Sequence, residues 1–335
     1  MRKLSLLSLL GLLVLISCKR DDPEFIGPSL ANVFGPFDVL EDFDITDRQV
    51  DFLGGESTTF TAIFSKEVDW EVHITGLETG GVKSIAGFGS VLDASNALWN
   101  GTTTSLPLFN IETCAVELRI PSDTILILDT LEVISNRVAD GFIIADFEDG
   151  MINAGWTGFV QSGADMSFNI TDDVVPGQGN KYYDMGGEVD WDWLIGLIDF
   201  PATAYGADAF DLNPNPGAVY FNVMLYLPPN INNELVLFQF REDDNGDGFY
   251  TENVEDMFSI ELNNDLEPGW QLISVRYADL QTLVNGAPAA PLGNGLYEPN
   301  KLSKISVLFL ANPSSGYSQT LMDYLIFTEN GPLNP

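Results

Sequence analysis

The chain has 2 cysteines, 1 histidine and 14 Lys+Arg among 335 residues, and each scarcity removes a class of chemistry. With Cys18 and Cys114 as the only thiols, no disulfide framework can staple the fold, so stability must come from packed cores. His73, as the only imidazole, excludes a paired-histidine metal centre and is the sole histidine that could activate a nucleophilic Cys114. Cys114 instead lies in Glu112-Thr-Cys-Ala-Val-Glu-Leu118, an alternating run that reads as a strand burying its thiol. The few basic residues face 49 Asp+Glu, giving a formal charge of -35, a field that repels phosphate backbones and argues against nucleic acid as a partner. No Gly-x-Ser-x-Gly elbow, phosphate-binding loop or dinucleotide fingerprint occurs in the sequence. After residue 18, no apolar run is long enough to cross a bilayer.

Before it, Arg2 and Lys3 precede an apolar stretch from Leu4 to Ile16, the charge and length expected of a signal sequence. Leu15-Ile16-Ser17-Cys18 resembles a lipobox, and Lys19-Arg20-Asp21-Asp22 resembles the export signal of Bacteroidota surface lipoproteins. The resemblance implies that residues 1–18 are the signal peptide with its lipidated Cys18. It also implies that the protein is held in the outer membrane by that lipid alone, facing the cell exterior. Residues 19–30, with Asp21, Asp22, Pro23, Gly27 and Pro28, have the composition of a flexible tether.

What is abundant is apolar: 45% of residues are hydrophobic and 11% aromatic, enough to offset the entropy of ordering the chain. The pattern predicts an all-β protein of two β-sandwich domains, 31–140 and 141–335. Thr58-Thr-Phe-Thr-Ala-Ile-Phe64 and Val68-Asp-Trp-Glu-Val-His-Ile74 alternate apolar and polar residues, which places Trp70, Val72 and Ile74 on one strand face and His73 on the other. In the second half the clearest strands are Val219–Leu227, Glu234–Arg241, Phe258–Leu262, Gln271–Val275 and Ile305–Leu310, joined by Pro- and Gly-rich loops as in a jelly roll. A single short helical turn is expected near Tyr277 to Val284.

The first domain resembles immunoglobulin-like spacer domains of surface lipoproteins, through Thr75-Gly76 and Leu98-Trp-Asn-Gly101. The second resembles galactose-binding-like carbohydrate-binding modules, through Ala145-Asp-Phe-Glu-Asp-Gly150, Gly155-Trp156, Gly179-Asn-Lys-Tyr-Tyr183, Gly269-Trp-Gln-Leu-Ile-Ser-Val275 and Leu321-Met-Asp-Tyr-Leu-Ile-Phe327. That resemblance implies a structural Ca²⁺ on Asp146, Glu148 and Asp323, acids of the first and last strands. A separate cation candidate is Asp243-Asp-Asn-Gly-Asp-Gly248, where Asp243, Asn245 and Asp247 have calcium-loop spacing, although position twelve is Val254 and a bare polar hairpin tip is the alternative.

Sugars present C–H faces that stack on flat rings and hydroxyls that seek carboxylates and amides. Trp191 and Trp193 share one face of an extended Asp190-Trp191-Asp192-Trp193 run, with Asp190 and Asp192 on the other, so this run is either a glycan platform or a buried aromatic pair. Trp156 and Tyr183 are secondary candidates, and Trp270 reads as core. Taken together, the architecture resembles the accessory glycan-binding lipoproteins (SusE/SusF-like) that work beside SusC/SusD-type importers, which implies non-catalytic polysaccharide binding at the cell surface. Two other readings stay open: a surface hydrolase or lyase, for which Lys181-Tyr182-Tyr183 is the only hint of a base, and a structural or adhesion lipoprotein.

Overall fold

In a computed structural model of the chain, the described residues are 35–189, 193–231, 235–263, 265–284, 286–311 and 316–335. Cys18 and the tether lie outside them, as do Asp190, Trp191 and Asp192. Among the described residues the regular structure is strand, with four short 3₁₀ turns and no α-helix; one of those turns, Tyr277–Asp279, falls where the sequence predicts it. No helix among them is long and apolar enough to cross a membrane.

The first strands are β1 (Val39–Ile45), β2 (Gln49–Asp51), β3 (Thr58–Gly76), β4 (Val82–Leu92), β5 (Leu98–Trp99), β6 (Thr113–Ile120) and β7 (Ile125–Ser135). They form one seven-stranded sheet in the order β1-β3-β6-β7-β2, with β4 and β5 also paired to β3. The two runs expected as separate strands join into the 19-residue β3, whose alternation keeps Phe60, Ala62, Phe64, Val68, Trp70, Val72 and Ile74 buried. Lys66 occupies the inward parity midway along, and pairing to β4 slips between Ile63 and Val68. The strand therefore changes partners there: β1 and β5 pair with its first half, β6 with its second. A charged residue at an inward position cannot be packed, so the chain bulges and carries Lys66 to Asp123, 3.6 Å away. Gly87 on β4 lets Trp70 lie flat against the backbone; a Cβ there would sit 2.3 Å from the indole. Cys114 is buried on β6 with no disulfide partner, and burial raises its thiol pKa to about 12.

After Asp140 the chain builds a second core. Its strands are β8 (Phe142–Ala145), β9 (Thr157–Val160), β10 (Ala164–Thr171), β11 (Tyr182–Glu188), β12 (Leu194–Pro201), β13 (Val219–Leu227), β14 (Leu235–Glu242), β15 (Met257–Asn263), β16 (Gly269–Arg276), β17 (Leu283–Val284), β18 (Ala287–Pro288), β19 (Leu302–Leu310) and β20 (Ser318–Glu329). Two sheets face each other: β10-β11-β20-β13-β16, with β8 added to β20, and β15-β14-β19-β12-β9. Apart from the β10–β11 and β14–β15 hairpins, successive strands of the two sheets cross between them, as in a jelly roll, and every pairing within the two sheets is antiparallel. Phe200, Phe221, Phe238, Phe240, Val307, Phe309 and Phe327 fill the space between.

The outer face of the six-stranded sheet is covered. Met224, Trp270, Leu272, Tyr324 and Ile326 pack there against Leu106, Leu108 and Ala139 of the preceding segment and Leu333 of the C-terminal tail. Backbone hydrogen bonds cross the same boundary, from Leu108 N to Gly177 O at 2.9 Å and from Thr103 N to Pro335 O at 2.7 Å. Trp270 is accordingly half-buried, its indole N–H donated to Val175 O at 2.7 Å, rather than a residue of the central core. Among the described residues, no such cluster covers the outer face of the five-stranded sheet.

Candidate functional site on the open sheet face

Strand register decides what the open face presents. In β12, β14 and β19, Ile198, Phe200, Phe238, Phe240, Ile305, Val307 and Phe309 point into the core, so the alternate residues point outward. The pairings align these into three rungs across the sheet. Phe159, Leu197, Leu308, Leu237 and Glu261 form an apolar rung with one acid at its far end. Thr157, Asp199, Ser306, Gln239 and Ser259 form a polar rung beside it. Pro201, Lys304, Arg241 and Met257 form the third.

The polar side chains are held in place by one another. The Asp199 carboxylate accepts the Ser306 hydroxyl, Lys304 Nζ at 3.3 Å and the Thr157 hydroxyl at 3.4 Å. Arg241 donates from Nη2 to Gln239 Oε1 at 3.0 Å, and its guanidinium stands 5.5 Å from the centre of the Tyr250 ring. Phe159, 48% exposed on edge strand β9, closes one side, and Trp193, 47% exposed, stands at the start of β12. Ser306 and Ser259 are buried beneath their neighbours, so the face presents a strip of aliphatic and aromatic surface beside Thr157, Asp199 and Gln239, the two kinds of contact a sugar ring needs.

The residues singled out from sequence are distributed differently. Trp193 is exposed, whereas its companions Asp190, Trp191 and Asp192 lie outside the described residues. Trp156 is not an open platform: it packs edge-on to Phe200 and Phe147 with centroids 4.8 and 6.0 Å away, and donates its indole N–H to Tyr205. Tyr183 is buried in the core with its ring stacked on Phe147, so it presents no face to a ligand. Tyr182 is buried as well, and burial raises both phenol pKa values, which removes Tyr182 and Tyr183 as accessible lyase bases. The polar rung was not legible as special from sequence; only the alternation of Asp199, Gln239 and Ser306 with apolar neighbours hints at it.

The acids expected to hold calcium do not form compact cages. Glu148 accepts the backbone N–H groups of Asn180 and Lys181 at 2.7 and 3.0 Å, and Asp323 accepts those of Gln178 and Tyr324 at 2.8 and 2.7 Å. Burial, with added repulsion from Glu148 and Asp146, pushes the Asp323 carboxyl well above the usual range. One oxygen from each of the three does not come within 4.8 Å of the others; Glu148 and Asp323 are both held by backbone donors of the one loop 178–181. Asp243, Asn245 and Asp247 are likewise turned inward on their loop. Asp243 accepts the N–H groups of Gly246, Asp247 and Gly248, Asn245 accepts that of Asp247, and Asp247 accepts that of Phe249. The spacing shared with calcium loops is satisfied here as a series of Asx turns. Among the described residues, one trio of acids does converge, Glu242, Asp244 and Glu298.

No protein-family model matches the sequence, and no curated protein matches it. Among solved structures, the chain is similar to one described as the structural basis for the promiscuous specificity of carbohydrate-binding modules from the β-sandwich superfamily. That match has 11% identity and a TM-score of 0.39, and covers 88% of this chain and 99% of the other. A family 11 carbohydrate-binding module from Clostridium thermocellum, in complex with a β-1,3-1,4-mixed-linked tetrasaccharide, matches at 14% identity and a TM-score of 0.37, covering 59% of this chain and 100% of its own. The K1 cleaved adhesin domain of Lys-gingipain from Porphyromonas gingivalis matches at 15% identity and a TM-score of 0.34, covering 56% and 97%.

Proposed function

We propose that the protein is a surface lipoprotein, lipid-anchored through Cys18 in the outer membrane, that binds polysaccharide without cleaving it and serves a SusC/SusD-type import system. The observation that carries the binding reading is the open face of the five-stranded sheet, where an apolar rung ending in Phe159 runs beside the Asp199–Ser306–Gln239 rung. Hydroxyl recognition needs donors and acceptors already fixed, since ordering them on binding would cost affinity, and here they are fixed by mutual hydrogen bonds.

Separation of charge supports a binding rather than a hydrolytic role. On this face Asp199 and Glu261 are the outward carboxylates of their rungs, three strands apart, roughly 14 Å at about 4.8 Å per strand. Glycosidases place their two carboxyls about 5–9.5 Å apart. Asp199 is in addition committed to Ser306 and Lys304.

The test is affinity electrophoresis of the purified chain in gels containing a panel of neutral and acidic polysaccharides, with each polysaccharide also assayed for new reducing ends and unsaturated products. Retardation without product formation is the expected result. Migration unaffected by every polysaccharide defeats the binding reading, and product formation replaces it with the enzymatic one.

A further inference from the structure

Glu242 closes β14 with its side chain fully buried. Its Oε1 accepts the Tyr277 hydroxyl at 2.8 Å and the backbone N–H of Glu298 at 2.9 Å. Its Oε2, equally buried, has no hydrogen-bond partner among the described residues. A carboxylate oxygen left dry and unpaired is strongly unfavourable, so such a group needs a proton, a water or a cation to satisfy it. One oxygen from each of Glu242, Asp244 and Glu298 lies within 4.8 Å of the others. Two oxygens sharing a Ca²⁺ at 2.3–2.6 Å can be no more than about 5 Å apart, so the trio is already at ligand spacing.

We propose that Glu242, Asp244 and Glu298 form a site for a hard divalent cation, calcium by preference, with the unpaired oxygen of Glu242 as its innermost ligand. The donor set is entirely oxygen, which suits calcium or magnesium over thiophilic and imidazole-seeking metals. Asp244 and Glu298 are half-buried, leaving the outer side open for water ligands. The near-buried, irregular arrangement favours calcium, because magnesium keeps a strict octahedral water shell. Lys301 marks the same demand for positive charge: its Nζ is 3.0 Å from Glu298 and 3.2 Å from Asp244 O. One ammonium beside three carboxylates leaves the group negative, and it does not reach the orphaned oxygen. The residues are out of step with the Asp243-x-Asn245-x-Asp247 spacing. Asp244, the residue between the expected ligands, is the one that turns toward Glu242 and Glu298.

The site is tested by calorimetric titration of CaCl₂ into the purified, chelator-treated chain. Wild type should bind calcium, Glu242→Gln should lose one equivalent or weaken that step at least tenfold, and Glu148→Gln should leave the step unchanged. The amide oxygen that Glu242→Gln introduces can still accept from Tyr277 and Glu298, so the fold should persist, which circular dichroism checks. Lys301→Met gives an independent reading, because removing the competing ammonium should tighten the same step several-fold. Absence of calcium binding by wild type, or equal stoichiometry and affinity in wild type and Glu242→Gln, overturns the proposal, as does unchanged or weaker binding by Lys301→Met.

Discussion

Asp243 and Asp244 are neighbours in sequence with opposite tasks: Asp243 accepts backbone N–H groups of its own loop, whereas Asp244 accepts the N–H of Asp256 at 3.0 Å and stands in the trio with Glu242. Asp244 sits at a bend just past β14, so a one-residue offset separates a turn-forming acid from one that meets Glu242 and Glu298. On the open sheet face strand parity makes the corresponding division, sorting the side chains of one sheet into core and outward-facing sets.

Phe159→Ala and Gln239→Ala should each weaken retardation by the cognate polysaccharide about tenfold, or about 1.4 kcal/mol, while leaving the melting temperature nearly unchanged. Trp193→Ala tests the exposed indole in the same way. Affinity gels at several polysaccharide concentrations give the dissociation constants, and equal mobility of Phe159→Ala and wild type would remove this face as the site.

Asn222 is buried and fully bonded: its amide donates to Tyr220 O, Ile326 O and the Thr328 hydroxyl, and its carbonyl accepts from Ser274 and the N–H of Leu333. Asn222→Ala should cost about 2–3 kcal/mol, since several buried partners are left unpaired together. Urea denaturation followed by tryptophan fluorescence checks this. Loss of the Leu333 bond should also expose the C-terminal tail to carboxypeptidase.

Burial raises the Asp184 carboxyl above its usual range, Asp173 adds repulsion, and hydrogen bonds from Ser167 and Gln319 oppose the rise only in part. The folded state therefore holds this proton more tightly than the unfolded chain. Between the ordinary aspartate pKa and the raised folded one, the folded form binds more protons, so this residue's contribution to stability falls as pH rises through that window and is constant above it. Asp184→Asn should abolish that fall. Melting curves of both proteins across the acidic range measure the difference, and parallel profiles would contradict it.

Cys114 is buried with its thiol pKa raised to about 12. Thiolate is the reactive form, so the native protein should resist iodoacetamide at about pH 8 and react fully once unfolded in urea. Mass spectrometry distinguishes the two, and rapid native labelling would show that β6 opens.

Much of the fold was legible in local pattern. The runs at Val219–Leu227 and Ile305–Leu310 are short, rich in apolar residues and bounded by Pro- and Gly-rich loops, which favours strands over helices, and β13 and β19 occupy those positions. The candidate site was less legible. Trp156 and Tyr183 are aromatic residues beside turns, as a platform would be, yet one is packed edge-on and the other buried, because aromatic side chains serve cores and ligand faces alike.

What the sequence determined by itself was the all-β class, the two stretches of alternating apolar residues on either side of Asp140, the scarcity of bases for nucleic acid, and the lipobox-like start. Tertiary structure alone decided which sheet face stays open and which residues share it. Phe159, Asp199, Gln239 and Ser306 come from four strands far apart in the chain, and Glu242 meets Glu298 across 56 residues. Side-chain parity is a local property that a sequence displays, whereas register between distant strands is fixed only when the whole sandwich closes on its core.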